Sequence, residues 1–198
     1  KSLIKILKKI QNTNNIIIMD DNSTDGTSKL IKNKKKLKIY RNKKNYGYEN
    51  NLLKGFKKGF KLNFDYIITF DADGEHDVKN IEKIKKYLNS YKPDLLIGIR
   101  NKKNRYVEKI VSFMFNFKFK VRDPLSGLKA YKVEKLKKII YQVQENYFLV
   151  DIIKIFKEKN YSVATMKISS KIQTDRAPRV GYSFFVFFKI LKCIRLVF

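Results

Sequence analysis

Two groups of acidic residues directly follow short apolar runs, and their chemistry suits hard cations and polar substrates. One group consists of Asp71 and Asp73, followed at once by Glu75 and His76. Two carboxylates one residue apart at the end of a strand can both reach one Mg²⁺ or Mn²⁺ ion, which keeps positions for a substrate diphosphate. Glu75 could add a further oxygen ligand. His76, the only histidine, could ligate the ion or hydrogen-bond a phosphate.

The second group is Asp20 and Asp21, which close the apolar run 16–19. Carboxylates at a strand end can hydrogen-bond a ribose or a base edge, and the N-terminus of the following helix attracts an anion. Acids in such places also form turns or cap helices, and we expect those roles for Asp25 and Asp77. They do not explain two adjacent acids at the end of an isoleucine run.

An alternation of strands and helices must position these acids. Apolar runs predict strands at 16–19, 37–40, 66–70 and 95–99, and helical spacing of apolar residues predicts helices at 25–33, 49–61 and 78–88. This order is typical of βαβ units, so we predict an α/β fold with a mostly parallel central sheet flanked by helices. Open sheets of this kind bind ligands at the carboxyl ends of their strands, where both acidic pairs and Arg100 fall.

The order of elements changes after Arg100. Helices are predicted at 106–120, 133–141 and 148–159, with a turn-rich stretch at 121–127 and a strand at 161–168. A polar loop follows at 173–181. The segment 184–198 is apolar but carries two lysines and an arginine, and it is too short for the roughly 20 apolar residues that span a bilayer. A helix at a membrane interface and a helix packed on the domain both fit it.

The composition is strongly basic, with 45 Lys and Arg against 18 Asp and Glu and a formal net charge of +27. This charge suits an anionic membrane or a nucleic acid. Only seven of the basic residues are arginines, which is a weak sign of a protein that reads DNA grooves. The single cysteine, Cys193, excludes a disulfide framework and a cysteine-based zinc site within the chain.

Five ordered segments resemble the family 2 glycosyltransferases of the GT-A fold. They are D-D-N-S-T-D-G-T at 20–27, N-Y-G at 45–47, D-A-D-G-E-H at 71–76, D-P-L-S-G-L-K-A at 123–130 and R-A-P-R-V-G-Y-S at 176–183. The last segment is similar to one in the polyprenyl-phosphate branch, which includes dolichyl-phosphate mannose and glucose synthases. The resemblance implies a metal-dependent, inverting transfer of a sugar from a UDP or GDP sugar to a dolichyl or undecaprenyl phosphate. It also implies membrane association, on the cytoplasmic face.

The resemblance assigns roles residue by residue. Nucleotide-sugar binding is implied for Asp20, Asp21, Asp71 and Arg100. The Mg²⁺ or Mn²⁺ site is implied to consist of Asp71, Asp73 and Glu75. Phosphate or acceptor contacts are implied for Arg176, Arg179, Ser183 and His76. Catalytic roles are implied for Asp73 and for Asp123, which would act as a base or orient the acceptor; a turn-forming aspartate before a proline is the alternative for Asp123.

Two departures from the family pattern affect these expectations. The family begins with an additional strand ending in P-x-[YF]-N-E, and Lys1 stands where the following helix would begin. We therefore predict an N-terminally truncated catalytic domain at 1–183, with an interrupted central sheet, followed by a membrane-proximal helix at 184–198. Glu75 stands where the family often has Gln or Ser, which adds negative charge beside the metal site.

Three functions other than sugar transfer to a lipid phosphate also fit parts of the sequence. A family 2 enzyme could act on a cell-surface glycan instead. A basic nucleic-acid-binding module is a different class, but carboxylates at the strand ends would repel phosphates unless a metal intervenes, so no nucleic acid partner is expected. An inactive partner domain is the third possibility, because the first family strand is missing.

Overall fold

The computed structural model of this chain describes residues 2–10, 15–27, 37–101, 106–144 and 147–171. The elements follow the predicted order, with one additional strand between the last predicted turn and the helix after it. They are α1 (Ser2–Lys9), β1 (Ile17–Asp20), β2 (Lys38–Arg41), α2 (Tyr48–Gly59), β3 (Tyr66–Thr69), α3 (Lys79–Tyr91), β4 (Leu95–Arg100), α4 (Tyr106–Phe119), β5 (Lys129–Lys132), α5 (Val133–Ile139), α6 (Phe148–Glu158) and β6 (Val163–Ile168). Most of the helix predicted at 25–33 lies outside the described residues.

The strands form two sheets. β1 and β2 pair in parallel, and the larger sheet has the order β3-β5-β4-β6. β4 and β6 are parallel, whereas β5 runs antiparallel to both β3 and β4. β3, β4 and β6 therefore share one direction, and the predicted α/β architecture is confirmed with one reversed strand inside it. β1 and β2 form one sheet, and β3 belongs to the other.

Helix α2 covers both sheets at their division. A Cβ atom added to Gly59 of α2 would lie 2.7 Å from Ile67 Cδ1 on β3 and 3.9 Å from Ile17 Cδ1 on β1. A side chain at position 59 would therefore force the Ile67 side chain to move. Glycine at this position lets a single helix pack closely against the beginnings of both β1 and β3, the strands that the two acidic pairs follow.

The larger sheet is covered on both faces. Leu95 and Ile97 of β4 pack with Tyr131 against helices α2, α4, α5 and α6 in one apolar cluster. Leu96, the residue between them, belongs to a second cluster with Ile84 and Leu88 of α3. Side chains alternate across a strand, so the continuous apolar sequence of β4 fills both layers. The strand ends at Arg100, the first residue of the polar region beyond the core.

Candidate functional site

The two acids at the end of β1 point to different partners. Asp20 is 4% exposed. Its Oδ1 accepts a hydrogen bond from the Ser23 backbone N–H at 2.8 Å, and its Oδ2 lies 3.7 Å from Arg41 Nε. Asp20 Oδ2 has no hydrogen-bond partner among the described residues. Asp20 Oδ2 is therefore a buried oxygen that retains the capacity to accept a hydrogen bond.

Asp21 holds the turn that precedes α2. Its Oδ1 accepts hydrogen bonds from Asn42 Nδ2 at 2.7 Å and from the Tyr46 N–H at 2.9 Å, and its Oδ2 accepts one from the Gly47 N–H at 2.8 Å. Gly47 has a φ of +85°, a conformation that glycine adopts without strain. The D-D and N-x-G segments therefore meet through Asp21, which explains why the two motifs occur together.

Asp71 lies against the turn that contains Gly127. A Cβ atom on Gly127 would overlap Asp71 Oδ2 and lie 2.8 Å from Asp71 Cγ. Thr69 Oγ1, at the end of β3, donates a 2.7 Å hydrogen bond to the Gly127 carbonyl oxygen, which fixes the turn beside the acid. The segments 71–76 and 123–130, far apart in the chain, are in direct contact here.

The environment of Asp71 disfavours its charged form. Burial raises its pKa, the charges of Asp73 and Glu75 raise it further, and His76 and the Tyr48 hydroxyl act in the opposite direction. Tyr48 follows Gly47, so its side chain brings the turn held by Asp21 close to Asp71. Burial and the Asp71 carboxylate raise the pKa of Tyr48 well above its usual value.

The loop after Asp73 is fixed to the segment that follows β6. Asp73 Oδ1 accepts a 2.9 Å hydrogen bond from the Glu75 N–H, and the Glu75 carbonyl oxygen accepts one of 2.8 Å from the Lys171 N–H. Asn80, which is fully buried, exchanges two hydrogen bonds of 2.8 and 3.1 Å with the Ser169 backbone. Asp77 Oδ1 accepts from the Lys79 N–H at 3.0 Å, which confirms Asp77 as the acid at the start of α3.

His76 is buried in this loop. Its side chain is 1% exposed, its ring lies edge-on to Phe70 with centroids 5.9 Å apart, and its Nε2 is 3.8 Å from Asp71 Oδ2. Within the described ranges, neither ring nitrogen has a hydrogen-bond partner. His76 is thus a buried imidazole beside Asp71 whose two nitrogens retain their hydrogen-bonding capacity.

Arg100 is surrounded by three carboxylates. Its Nε and Nη2 form a two-point pair with Asp123 Oδ2 and Oδ1, both at 3.0 Å, and its backbone N–H bonds the same Oδ2 at 3.0 Å. Nη1 donates to Glu75 and Nη2 to Glu108, each at 3.2 Å. Burial alone would lower the pKa of Arg100, but Asp123, Glu108 and Glu75 outweigh it and raise that pKa. The cluster joins β4, the acidic loop, α4 and the 123–130 segment.

Lys129 supports the 123–130 segment from inside the protein. It is completely buried, and its Nζ donates to the carbonyl oxygens of Pro124 and Ser126, both at 2.8 Å, and more weakly to that of Leu149 at 3.5 Å. Burial lowers the pKa of Lys129 to about 7, although Asp123 acts in the opposite direction. A buried lysine thus shapes the turn that presents Gly127 to Asp71.

The acidic edge fits a metal that is shared with substrate. No group of three or more His, Cys, Asp or Glu side chains in the described part of the chain is arranged to hold a metal ion by itself. Asp71 is nevertheless desolvated beside the like charges of Asp73 and Glu75, which a cation would offset. Mg²⁺ and its analogues are commonly held by one or two carboxylates together with substrate phosphates. Asp71 and Asp73 fit that donor set, while Glu75 is engaged by Arg100.

The structure brings the predicted residues that it describes into one region. They differ in how far other residues of the chain already bind them. Asp20, Asp71, Asp73 and His76 lie at the strand ends, whereas Asp123, Arg100 and Glu75 satisfy one another. Arg176, Arg179 and Ser183 lie outside the described residues, so their predicted contacts stay predictions. Sequence reasoning missed Tyr48, Thr69, Asn80, Glu108 and Lys129 as residues that build the site. Of these residues, only Lys129 lies in a segment, 123–130, whose resemblance to the family pattern marked it out.

Known structures share this arrangement of strands and loops. One is glucosyl-3-phosphoglycerate synthase of Mycobacterium tuberculosis, crystallised with Mn²⁺, UDP-glucose and phosphoglyceric acid. The two structures superpose with a TM-score of 0.72 at 13% identity, over 99% of this chain and 73% of the synthase chain. TarS of S. aureus, crystallised with UDP-GlcNAc, has a TM-score of 0.62 at 14% identity and covers 98% and 60%. The fold is therefore the GT-A fold of glycosyltransferases.

The chain belongs to glycosyl transferase family 2, whose sequence profile matches residues 1–139, and it is a glycosyltransferase. An uncharacterized protein of Methanocaldococcus jannaschii is 32% identical over 95% of this chain and 82% of its own length. The UDP-N-acetylglucosamine–dolichyl-phosphate N-acetylglucosaminyltransferase of Methanococcus voltae is 26% identical over 96% of this chain and 90% of its own. The family and fold implied by the five motifs are confirmed.

Proposed function

We propose that this glycosyltransferase moves a sugar from a UDP or GDP sugar to a polyprenyl phosphate, with inversion, at the cytoplasmic face of a membrane. The observation that carries the proposal is the position of Asp71. This carboxylate is 25% exposed, lies against Gly127, and stands beside the Tyr48 side chain, which follows the turn held by Asp21. A nucleotide bound near Asp20 would have its diphosphate at Asp71 and Asp73.

A lipid phosphate acceptor agrees with the state of Asp123. A hydroxyl acceptor needs a general base within hydrogen-bond reach, whereas a phosphate is already ionised and needs none. Asp123 is fully buried and paired at two points with Arg100, so its oxygens are committed to the fold. This favours a phosphate acceptor over the hydroxyl of a cell-surface glycan. The similarity to the dolichyl-phosphate enzyme of Methanococcus voltae supports the same choice.

Each residue then has a defined task. Asp20 binds the nucleoside through its open Oδ2, and Asp21 shapes the turn before α2. Asp71 and Asp73 hold Mg²⁺ or Mn²⁺, which when bound offsets the charge that develops on the leaving diphosphate. His76 donates to or accepts from a phosphate, and Arg176, Arg179 and Ser183 contact the phosphates of donor or acceptor. Arg100 positions the acidic loop through Glu75 and the 123–130 turn through Asp123.

Donor binding provides the direct test. Titration of the protein with UDP and GDP sugars, with and without Mn²⁺, is expected to show binding that the metal strengthens. Asp73→Asn should abolish this dependence. Asp77→Asn is the matched control, because it removes a carboxylate from the same loop but keeps an oxygen for the start of α3. Metal-strengthened binding that persists in the Asp73 variant would refute the site.

The acceptor is tested separately. Purified protein is incubated with a radiolabelled nucleotide sugar and either a polyprenyl phosphate or a soluble glycan. We expect label in the lipid fraction only. Label that enters only the glycan would exclude the polyprenyl-phosphate acceptor while leaving the donor site intact.

A further inference from the structure

Helix α4 has a second apolar face that the described structure does not cover. Ile110, Phe113 and Phe117 are 36%, 74% and 69% exposed. Their spacing places them on one side of the helix. The opposite side carries Val111 and Phe115, which are 2% and 1% exposed in the core. We call Ile110, Phe113 and Phe117 the outer stripe of α4.

Lysines border the outer stripe on both sides. Successive residues of a helix are rotated by about 100°, so Lys109 falls on one flank of the stripe and Lys118 on the other. Both are exposed, as is Lys120 just beyond the end of the helix. An apolar stripe between two lysines differs from an ordinary solvated surface, where charged residues occupy the centre of the exposed face.

We propose that the outer stripe of α4 docks on an anionic lipid bilayer. Phe113 and Phe117 would enter the boundary between headgroups and acyl chains, while Lys109 and Lys118 would extend to the lipid phosphates. The net charge of +27 attracts the chain to such a surface. A double-stranded nucleic acid would match the lysines but would leave the two exposed phenyl rings between them without a partner.

The same helix contacts the candidate site. Glu108, less than two turns before Phe113, accepts the 3.2 Å hydrogen bond from Arg100 Nη2. Arg100 in turn holds Asp123 and Glu75. At a rise of about 1.5 Å per residue, the start of the stripe lies less than 10 Å along the helix from this cluster. Docking through α4 would therefore set the distance of the site from the lipid surface. The inference rests on the proposed function only for the presence of the acceptor in that membrane.

The chain contains no tryptophan, so a single introduced tryptophan can serve as a fluorescence probe. The Phe117→Trp variant of the full chain carries a single indole, whose emission reports its surroundings. Vesicles of phosphatidylcholine with phosphatidylglycerol, with and without brominated acyl chains, are added at low salt. We expect a blue shift of the emission and quenching by the brominated lipid. Tyr91→Trp is the matched control, since Tyr91 is 71% exposed on α3, and its indole should stay in water.

Vesicle affinity measures the contribution of the stripe. The double variant Phe113→Ser/Phe117→Ser should bind the same vesicles about tenfold more weakly or worse, because two inserted rings are lost. The control is Tyr91→Ser/Tyr141→Ser, which removes two other exposed aromatic rings and should bind like the parent. Donor binding without vesicles should be equal in all variants, so a failure of the proposed donor site is recognised independently.

Three results would overturn the proposal. The first is vesicle binding in which the Phe117→Trp indole stays in water. The second is an indole that is already shielded without vesicles at every protein concentration, which would mean that the chain covers the stripe itself. The third is shielding of the Phe117→Trp indole that grows with protein concentration in the absence of vesicles, which would identify a second copy as the occupant.

Discussion

Asp71 occupies the space that a side chain at position 127 would need, and residue 127 is a glycine. The added Cβ would overlap Asp71 Oδ2 and would lie 3.0 Å from Oδ1. The two residues are 56 positions apart and belong to different motifs. Their contact joins the candidate metal site at the end of β3 to the turn that Lys129 and Arg100 hold in place. The position of the Asp71 carboxylate thus depends on the shape of the 123–130 segment.

Replacement of Gly127 should therefore impair the site directly. In Gly127→Ala the methyl group displaces the Asp71 carboxylate, so we expect Mn²⁺-dependent affinity for a nucleotide sugar to fall at least tenfold. Overpacking of this kind also costs about 1–3 kcal/mol of unfolding free energy. Calorimetric titration of the donor and urea unfolding measure the two effects.

Gly55→Ala is the control for the Gly127 variant. Its new methyl group meets Met19 Cγ at 3.1 Å, and the flexible methionine can move away. Alanine also favours the helix that contains position 55. This variant should bind donor normally. Equal donor affinity in Gly127→Ala and the parent would show that Asp71 does not need its observed position.

Local pattern predicted much of this fold, and long-range contacts account for what it missed. Strand β3 and the role of Asp77 at the start of α3 follow from runs and spacings within about ten residues. β5 was not predicted because it starts with Lys129 and ends with Lys132, so no apolar run marks it. The amine of the buried Lys129 is surrounded by three carbonyl oxygens, two from its own turn and one from Leu149 at the start of α6. No apolar periodicity contains that information.

The same limit applies to the acids. Sequence reasoning grouped Asp20 with Asp21 as nucleotide ligands, since adjacent residues share a pattern. The structure gives Asp21 three hydrogen bonds within the chain and leaves one oxygen of Asp20 open. Which of two neighbouring acids is structural depends on the turn at 45–47, which folds back from 25 residues away.

Different outcomes are therefore expected for the two acids. Asp21→Ala leaves the Tyr46 N–H without its acceptor and the Gly47 N–H with Asn45 Oδ1 alone, and should lower the unfolding free energy by about 1 kcal/mol. Asp20→Asn keeps an oxygen for the Ser23 N–H but removes the charge, so it should weaken donor binding with a smaller loss of stability. Urea unfolding and donor titration of both variants separate these effects. A reversed pattern would make Asp21 the ligand.

Arg100 should be among the most sensitive residues for stability. Arg100→Met leaves Asp123 buried and charged without a partner, and breaking such a pair costs about 3–5 kcal/mol. Arg41→Met is the matched control, because Arg41 also ends a strand and also faces an aspartate, but its side chain is 48% exposed. Exposed pairs contribute about 1 kcal/mol or less. Similar losses in the two variants, measured by urea unfolding, would contradict the structural role given to the Arg100 cluster.

Lys129 predicts how stability changes with pH. Burial lowers its folded pKa to about 7 from 10.5, so between these values the unfolded chain binds more protons than the folded one. The contribution of Lys129 to the unfolding free energy should therefore rise as the pH increases from 7 towards 9.5. The neutral amine still has two N–H groups for the carbonyl oxygens of Pro124 and Ser126, and only the longer contact to Leu149 is lost.

Lys129→Met isolates this contribution. It leaves buried carbonyl oxygens without donors, which should cost about 1–3 kcal/mol. The parent should gain stability relative to the variant as the pH rises, because only the parent can release the proton. Lys132→Met is the control: it removes a lysine from the same strand, but this side chain is 33% exposed and pairs with Asp94 at 3.7 Å. Urea unfolding at several pH values between 7 and 9.5 measures the difference, and parallel curves for the parent and Lys129→Met would show that the buried amine does not titrate in this range.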